Sequence, residues 1–169
     1  MIINHNISTN SFIFCNVYQG PYESTAYLNQ GNGHFHEYVY VVEGSALAGF
    51  STNETPDDSV VFNSISKDNL YNIEESRGKY VITNTQESGI SFAMFNPIPD
   101  TKQLSVEIVK NTEPITVTAT DKRKTVVCIQ GKATIQDKEL FAMQYAVVFE
   151  DTNAVLQLQE NSICAIVTG

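Results

Sequence analysis

Two histidines two residues apart, His34 and His36, stand in the stretch "GNGHFHEYVYVVEG" (31–44). On a β-strand, residues two apart point to one face. Both imidazoles can then address one ion, and imidazole suits Zn, Fe, Ni, Mn or Cu. Two other readings stand beside this one. The pair can supply hydrogen-bonding or acid–base groups to a metal-free ligand pocket, or it can simply flank the entrance of a strand after a glycine turn. Tyr38 and Tyr40 follow on the same alternation, with Val39 and Val41 on the opposite face. Two phenols side by side fit a sugar or a carboxylate, and they also fit core or dimer packing. Other constellations carry less. "NETPDDS" (53–59) gathers three acids, but it lacks the alternating ligands and closing Glu of a calcium loop. Glu74 and Glu75 face opposite sides of a strand, so they make no carboxylate pair. "GNG" (31–33) is too short for a phosphate-binding fingerprint. No cysteine lies near a histidine in sequence, so no thiol nucleophile is indicated.

The elements that must position these residues are short and β-rich. Runs such as "SFIFCNVY", "EYVYVVEG", "KYVIT", "ISFAMF", "KTVVCIQG", "AVLQLQ" and "ICAIVT" are rich in Val, Ile, Thr, Phe and Tyr. Gly, Asn, Asp and Pro punctuate them. In "AVLQLQ" the alternation sets Leu156 and Leu158 on a core face. The best helix candidate, "DKELFAMQYA", is short and fits a strand and turn equally. Many short strands at this spacing predict an all-β antiparallel sandwich or barrel. The chain has 169 residues, 42% hydrophobic and 17% charged, enough for a core. A net charge of −9 repels a phosphate backbone and argues against nucleic acid as a partner. No apolar run approaches the roughly 20 residues needed to span a bilayer. The N-terminal stretch lacks a basic region and a long apolar run, so no signal peptide is expected. Cys15, Cys128 and Cys164 are odd in number and include no CxxC, which points to reduced thiols and a cytoplasmic setting. Cys128 and Cys164 lie in apolar runs and are expected to pack as small core residues.

The strongest organisational signal is an internal repeat. "YVYVVEGSALAGF" (38–50) aligns with "TVVCIQGKATIQD" (125–137), placing Gly44 on Gly131 and Ala46 on Ala133. Continued without a gap, Val60-Val61-Phe62 falls on Val147-Val148-Phe149. After a two-residue deletion, residues 73–83 fall on 158–168. The alignment predicts that Val61 and Val148 are buried at equivalent positions. It also predicts two β units, 1–97 and 98–169, joined through "NPIPDTK" (96–102).

On "YVYVVEG" followed by "SVVF", and "TVVCIQGKATI" followed by "ELFAMQYAVVF", the chain resembles the cupin superfamily, specifically a two-domain bicupin. The resemblance implies two tandem jelly-roll barrels, the first with a metal-binding motif and the second lacking one. With Glu43-Gly44 as the anchor, Glu37 takes the position of the family's glutamate ligand. With the histidines as the anchor, that position falls near Val41. Where the family places a further histidine this chain has Asp68 or Asn69, so the implied ligands are His34 and His36 with Glu37 or Asp68. On a regular strand Glu37 faces away from the two histidines, and a bulge in "GNGHFHEY" would be needed to bring it to them. The second repeat carries Asp121 and Arg123 opposite His34 and His36, so no ligand set is implied there. The implied cofactor is one divalent transition metal (Zn, Ni, Mn or Fe). The implied ligand is a sugar, polyol or small carboxylate, with Tyr38 and Tyr40 among its contacts. If the protein is an enzyme, the family implies a metal-dependent isomerase, lyase or oxygenase. The alternative is a non-catalytic bicupin that serves binding or assembly without a metal. An isologous homodimer is the default for such a domain.

Overall fold

The computed structural model describes residues 1–29, 37–51, 61–73, 78–98 and 103–169. His34, His36, Val60 and the linker residues 99–102 lie outside the described residues. Every element among the described residues is a β-strand. None is a helix long and apolar enough to cross a membrane. The chain divides into two compact units, Met1–Lys102 and Gln103–Gly169.

Unit 1 holds β1 (Ile2–Ser8), β2 (Phe12–Gln19), β3 (Ser24–Asn29), β4 (Glu37–Glu43), β5 (Ser45–Ser51), β6 (Phe62–Ser66), β7 (Leu70–Ile73), β8 (Gly78–Thr83) and β9 (Ile90–Pro97). They form two antiparallel sheets, ordered β1-β2-β9-β4-β7 and β3-β8-β5-β6. Unit 2 holds β10 (Ser105–Val109), β11 (Ile115–Ala119), β12 (Lys124–Gln130), β13 (Lys132–Ile135), β14 (Lys138–Phe141), β15 (Tyr145–Val148), β16 (Thr152–Leu158) and β17 (Ile163–Thr168). Its sheets are ordered β10-β17-β12-β15 and β11-β16-β13-β14. Strand for strand the two units share one topology, and β1 is an added edge strand of unit 1. "DKELFAMQYA" forms the strands β14 and β15 with a turn between them, as its β-branched and aromatic flanks allow.

Inside each unit, the side chains that alternate inward from both sheets meet as one apolar layer. In unit 1 these include Val17, Val39, Val41, Ile65, Ile82, Ile90, Phe92 and Met94. In unit 2 they include Val126, Cys128, Leu140, Val148, Leu156, Leu158, Cys164 and Ile166. Leu156 and Leu158 are buried while Val155 is exposed, as the alternation of "AVLQLQ" requires. Cys128 and Cys164 are core residues, also as expected.

Gly44 and Gly131 occupy matching hairpin turns, between β4 and β5 and between β12 and β13. Their φ values are +84° and +77°, a region that L side chains avoid. A Cβ on Gly44 would stand 2.9 Å from the Gly89 carbonyl oxygen, and one on Gly131 would collide with the Ser162 side chain. Just before each glycine the ladder slips by one residue, between Val41 and Glu43 and between Cys128 and Gln130. The repeat is therefore reproduced down to its β-bulge.

Beyond this hairpin the gap-free alignment fails. Ala46 pairs with Ile65, and Ala133 with Leu140. The Asp68 N–H donates to the Val41 carbonyl at 3.0 Å, and the Met143 N–H donates to the Cys128 carbonyl at 2.9 Å. Glu37 pairs with Ile73, and Lys124 with Val148. The true partners are thus Ile65 with Leu140, Asp68 with Met143 and Ile73 with Val148. Val148 is 4% exposed and packs in the core, but Val61 is 76% exposed. The physical cause is the connection between the second and third hairpin strands. Unit 2 closes it on Gln136 and Asp137, both at positive φ, a two-residue turn suited to strand twist. Unit 1 spends residues 52–61 there. Likewise β8 matches β16 rather than β17, since Ala48 pairs with Ile82 and Ile135 with Leu156.

Candidate functional site

Glu37 is the first residue of β4 and shares its inward face with Val39 and Val41. It is 6% exposed. Taking a carboxylate out of water favours the neutral acid, and burial lifts the Glu37 carboxyl to about 7. Among the described residues no cation or hydrogen-bond donor is paired with it. Its surroundings register its charge. Burial, then the Glu37 carboxylate, raise the Cys15 thiol on β2. Burial, then Tyr71, then Glu37, push the Tyr80 phenol on β8 up to about 12.

Tyr80 and Tyr71 also line a cavity of about 620 Å³, together with Phe50, Asn63, Ile65 and Ile73. Glu37 itself does not line it. Ile73, which lines it, is the cross-strand partner of Glu37. The Tyr71 hydroxyl accepts a hydrogen bond from the Ser66 N–H at 2.9 Å, which holds the ring against the strand edge. Deeper in the same layer Tyr27 packs edge-on against Phe92 at 5.9 Å. Its hydroxyl donates to Gln19 Oε1 at 3.4 Å. Gln19 is itself fixed by donating to the carbonyls of Glu23 and Ile82.

The corresponding space in unit 2 is built differently. A cavity of about 670 Å³ is lined by Ile135, Leu140, Ala146, Val148 and Ala154, among others. By the pairings above, Ala146 and Ala154 stand where unit 1 has Tyr71 and Tyr80. The pairing of Val117 with Ala154 and of Tyr27 with Tyr80 sets Val117 in the place of Tyr27. Lys124 takes the place of Glu37. At these equivalent positions unit 1 carries a carboxyl and three phenols and unit 2 carries none, although the unit 2 cavity is also lined by Glu139 and Tyr145.

Tyr38 and Tyr40 lie on the face of β4 opposite Glu37. Tyr40 is 2% exposed and shares that side with Ala93 and Phe95 of the neighbouring β9. Its hydroxyl donates to Asp68 Oδ1 at 3.1 Å. Burial, then that bond and the Asp68 charge, push the phenol up to about 12. Asp68 sits in the β6–β7 turn at φ 65°, in the left-handed region that Asp tolerates. The structure brings Asp68 to Tyr40 and does not bring it to Glu37. Among the described residues no three His, Cys, Asp or Glu side chains come together as a metal cluster. Tyr27, Tyr71 and Tyr80 were not singled out from the sequence. Only the strand pairings expose them, because with the two units matched by register each is a tyrosine where the other unit has a small aliphatic residue.

No family model matches the chain, and no curated protein matches it by sequence. Solved structures do. The chain is similar to the oxalate decarboxylase of Lactobacillus farciminis in its formate complex, with TM-score 0.73 and 9% identity, over 98% of this chain and 80% of that one. It is similar to the bacterial pirin YhhW of Escherichia coli in complex with nickel(II), with TM-score 0.71 and 7% identity, over 99% and 90%. A cupin 2 conserved barrel domain protein from Leptotrichia buccalis aligns with TM-score 0.57 and 11% identity, over 99% and 88%. At such identities the likeness establishes the fold, and that fold is the all-β jelly roll of the cupins.

Proposed function

We propose that the protein is a bicupin whose first barrel binds a small polar molecule, a sugar, polyol or carboxylate, while its second barrel lacks the carboxyl and phenols that would do so at the equivalent positions. The observation that carries this reading is the contrast at equivalent positions: Glu37, Tyr71 and Tyr80 in unit 1 against Lys124, Ala146 and Ala154 in unit 2. Burying a carboxyl without a partner is costly, and a barrel that needed only stability would not retain one. A divalent metal fits this carboxyl, which among the described residues has no cation beside it. Glu37 would hold the ion, and the imidazoles of His34 and His36, which regular alternation sets on the face of Tyr38 and Tyr40, would join it across a β-bulge ahead of β4. When bound, the ion would supply a Lewis-acid anchor for ligand oxygen atoms. Tyr71 and Tyr80 would orient the ligand through their hydroxyls and stack against its apolar faces. The nickel(II) of the pirin and the formate of the oxalate decarboxylase are in keeping with this ligand chemistry. Thiol cysteines are in keeping with a cytoplasmic setting.

The test is a thermal-shift screen of sugars, polyols and small carboxylates, with and without Ni²⁺ or Mn²⁺, on wild type and Tyr80→Ala. A ligand present at about 100 times its Kd stabilises by about 2.7 kcal/mol, a shift well above noise. Stabilisation by a polar ligand that disappears in Tyr80→Ala supports the reading. Stabilisation that survives Tyr80→Ala but fails in Ala154→Leu would assign the ligand to the second barrel.

A further inference from the structure

Cys128 on β12 and Cys164 on β17 are directly opposed in the antiparallel ladder of unit 2. Both are fully buried, and both belong to the same interior layer. The N–H and C=O of one residue in an antiparallel strand point to the same side. Those of Cys128 both turn away from β17. Its N–H donates to the Gln144 carbonyl at 3.0 Å, and its carbonyl accepts from the Met143 N–H at 2.9 Å. Toward β17, Cys128 and Cys164 therefore form a non-hydrogen-bonded pair, the kind with Cα atoms about 4.5 Å apart and side chains closest together. That spacing lies inside the disulfide range of about 4.4–6.8 Å. The equivalent pair in unit 1 is Val41 with Phe92, so the thiols are not demanded by the fold.

We propose that Cys128 and Cys164 are a reversible oxidation site, which hydrogen peroxide converts to a disulfide that staples β12 to β17. The cross-strand pairing sets the two thiols on the same inward face, side by side. The Cys128 S–H donates to the carbonyl oxygens of Gln130 and Gly131 at 3.6 Å, at the bulge. Cys128, the thiol at the bulge, is taken as the attacking group and Cys164 as the resolving thiol. In the first step the Cys128 sulfur attacks one peroxide oxygen. The O–O bond breaks, leaving a sulfenic acid on Cys128 and hydroxide, which takes up the thiol proton as water. In the second step the Cys164 sulfur attacks the Cys128 sulfur. The S–S bond forms, the S–O bond breaks, and the hydroxyl leaves as water with the Cys164 proton. Two thiols lose two electrons and two protons, and one peroxide becomes two waters. A small oxidant suits a buried pair. The ladder irregularity between Cys128 and Gln130 gives it the least-paired approach.

The folded wild-type chain is treated with hydrogen peroxide, denatured, alkylated and digested with trypsin. The expected product joins peptide 125–132, which holds Cys128, to peptide 139–169, which holds Cys164. Cys15 is expected outside that cross-link, and dithiothreitol should restore both thiols. In Cys164→Ala the chemistry should stop at a Cys128 sulfenic acid that dimedone traps. Recovery of Cys128 and Cys164 as separate alkylated or over-oxidised residues would overturn the proposal. So would a cross-link that forms only after the chain is denatured first. The wild-type map decides the matter if the variant does not fold.

Discussion

Glu37 and Tyr40 lie three residues apart on β4 and point to opposite faces of one sheet, the carboxyl into the barrel and the phenol to Asp68 on the other side. Both are nearly inaccessible to solvent, so each polar tip must be reckoned for. The phenol has its acceptor. The carboxyl is left to be neutral or to meet a cation.

The first consequence is a pH dependence of stability. The folded Glu37 carboxyl is raised from its ordinary 4.5 to about 7, so the native state holds the proton more tightly than the unfolded chain. Its contribution is fully present below pH 4.5 and is lost as pH rises through 7. Over that window the loss is on the order of 2–3 kcal/mol. Urea unfolding in EDTA at pH 5 and pH 8 should show Glu37→Gln gaining that much relative to wild type at the higher pH. Parallel pH profiles for the two proteins would show that the carboxyl is solvated.

The second concerns the other face. Tyr40→Phe should cost about 1–2 kcal/mol, because a buried acceptor contact is lost. Asp68→Ala should cost a similar amount. The two losses should fall short of additive in a double-mutant cycle, with a coupling of about 0.5–1.5 kcal/mol. Fully additive losses would show that the hydroxyl and the carboxylate act independently.

The third separates two valines that look alike in sequence. Val148→Ala removes buried methyl groups and should cost about 1–2 kcal/mol. Val61→Ala, at an exposed site, should stay within about 0.5 kcal/mol. Midpoints from chemical denaturation check both, and equal costs would contradict the matching of Val148 on β15 with Ile73 on β7 rather than with Val61.

These residues also show where sequence reading succeeds and where it stops. Gly44 and Gly131 were legible because the turn needs a backbone that only glycine adopts easily, so spacing and residue type coincide. Leu156 and Leu158 were legible because β16 is buried on one face and solvated on the other. Strand β4 offers no such contrast. Val39, Tyr40 and Val41 are all buried, so alternation cannot say which face looks into the barrel. That is why Tyr38 and Tyr40 drew attention while Tyr71 and Tyr80 did not. The repeat was real, but two chance Val-Val-Phe triplets hid the difference in loop length after β5 and β13. A two-residue turn on Gln136 and Asp137 leaves no trace that its counterpart spends residues 52–61 on the same connection. Glu37 was marked by its distance from Glu43-Gly44, and its inward orientation follows from the same alternation once Val39 and Val41 are known to be core.

The central claim is that the Glu37 carboxyl makes the first barrel a site for a metal and its ligand. Isothermal titration of Ni²⁺ into untagged protein at pH 7.5 tests it most directly, using wild type, Glu37→Gln, His34→Ala, His36→Ala and Asp68→Asn. The account predicts about one equivalent bound by wild type. It predicts at least a tenfold loss of affinity in Glu37→Gln and in both histidine variants, and no loss in Asp68→Asn, whose carboxylate serves Tyr40. Undiminished binding in Glu37→Gln, or loss in Asp68→Asn alone, would contradict it.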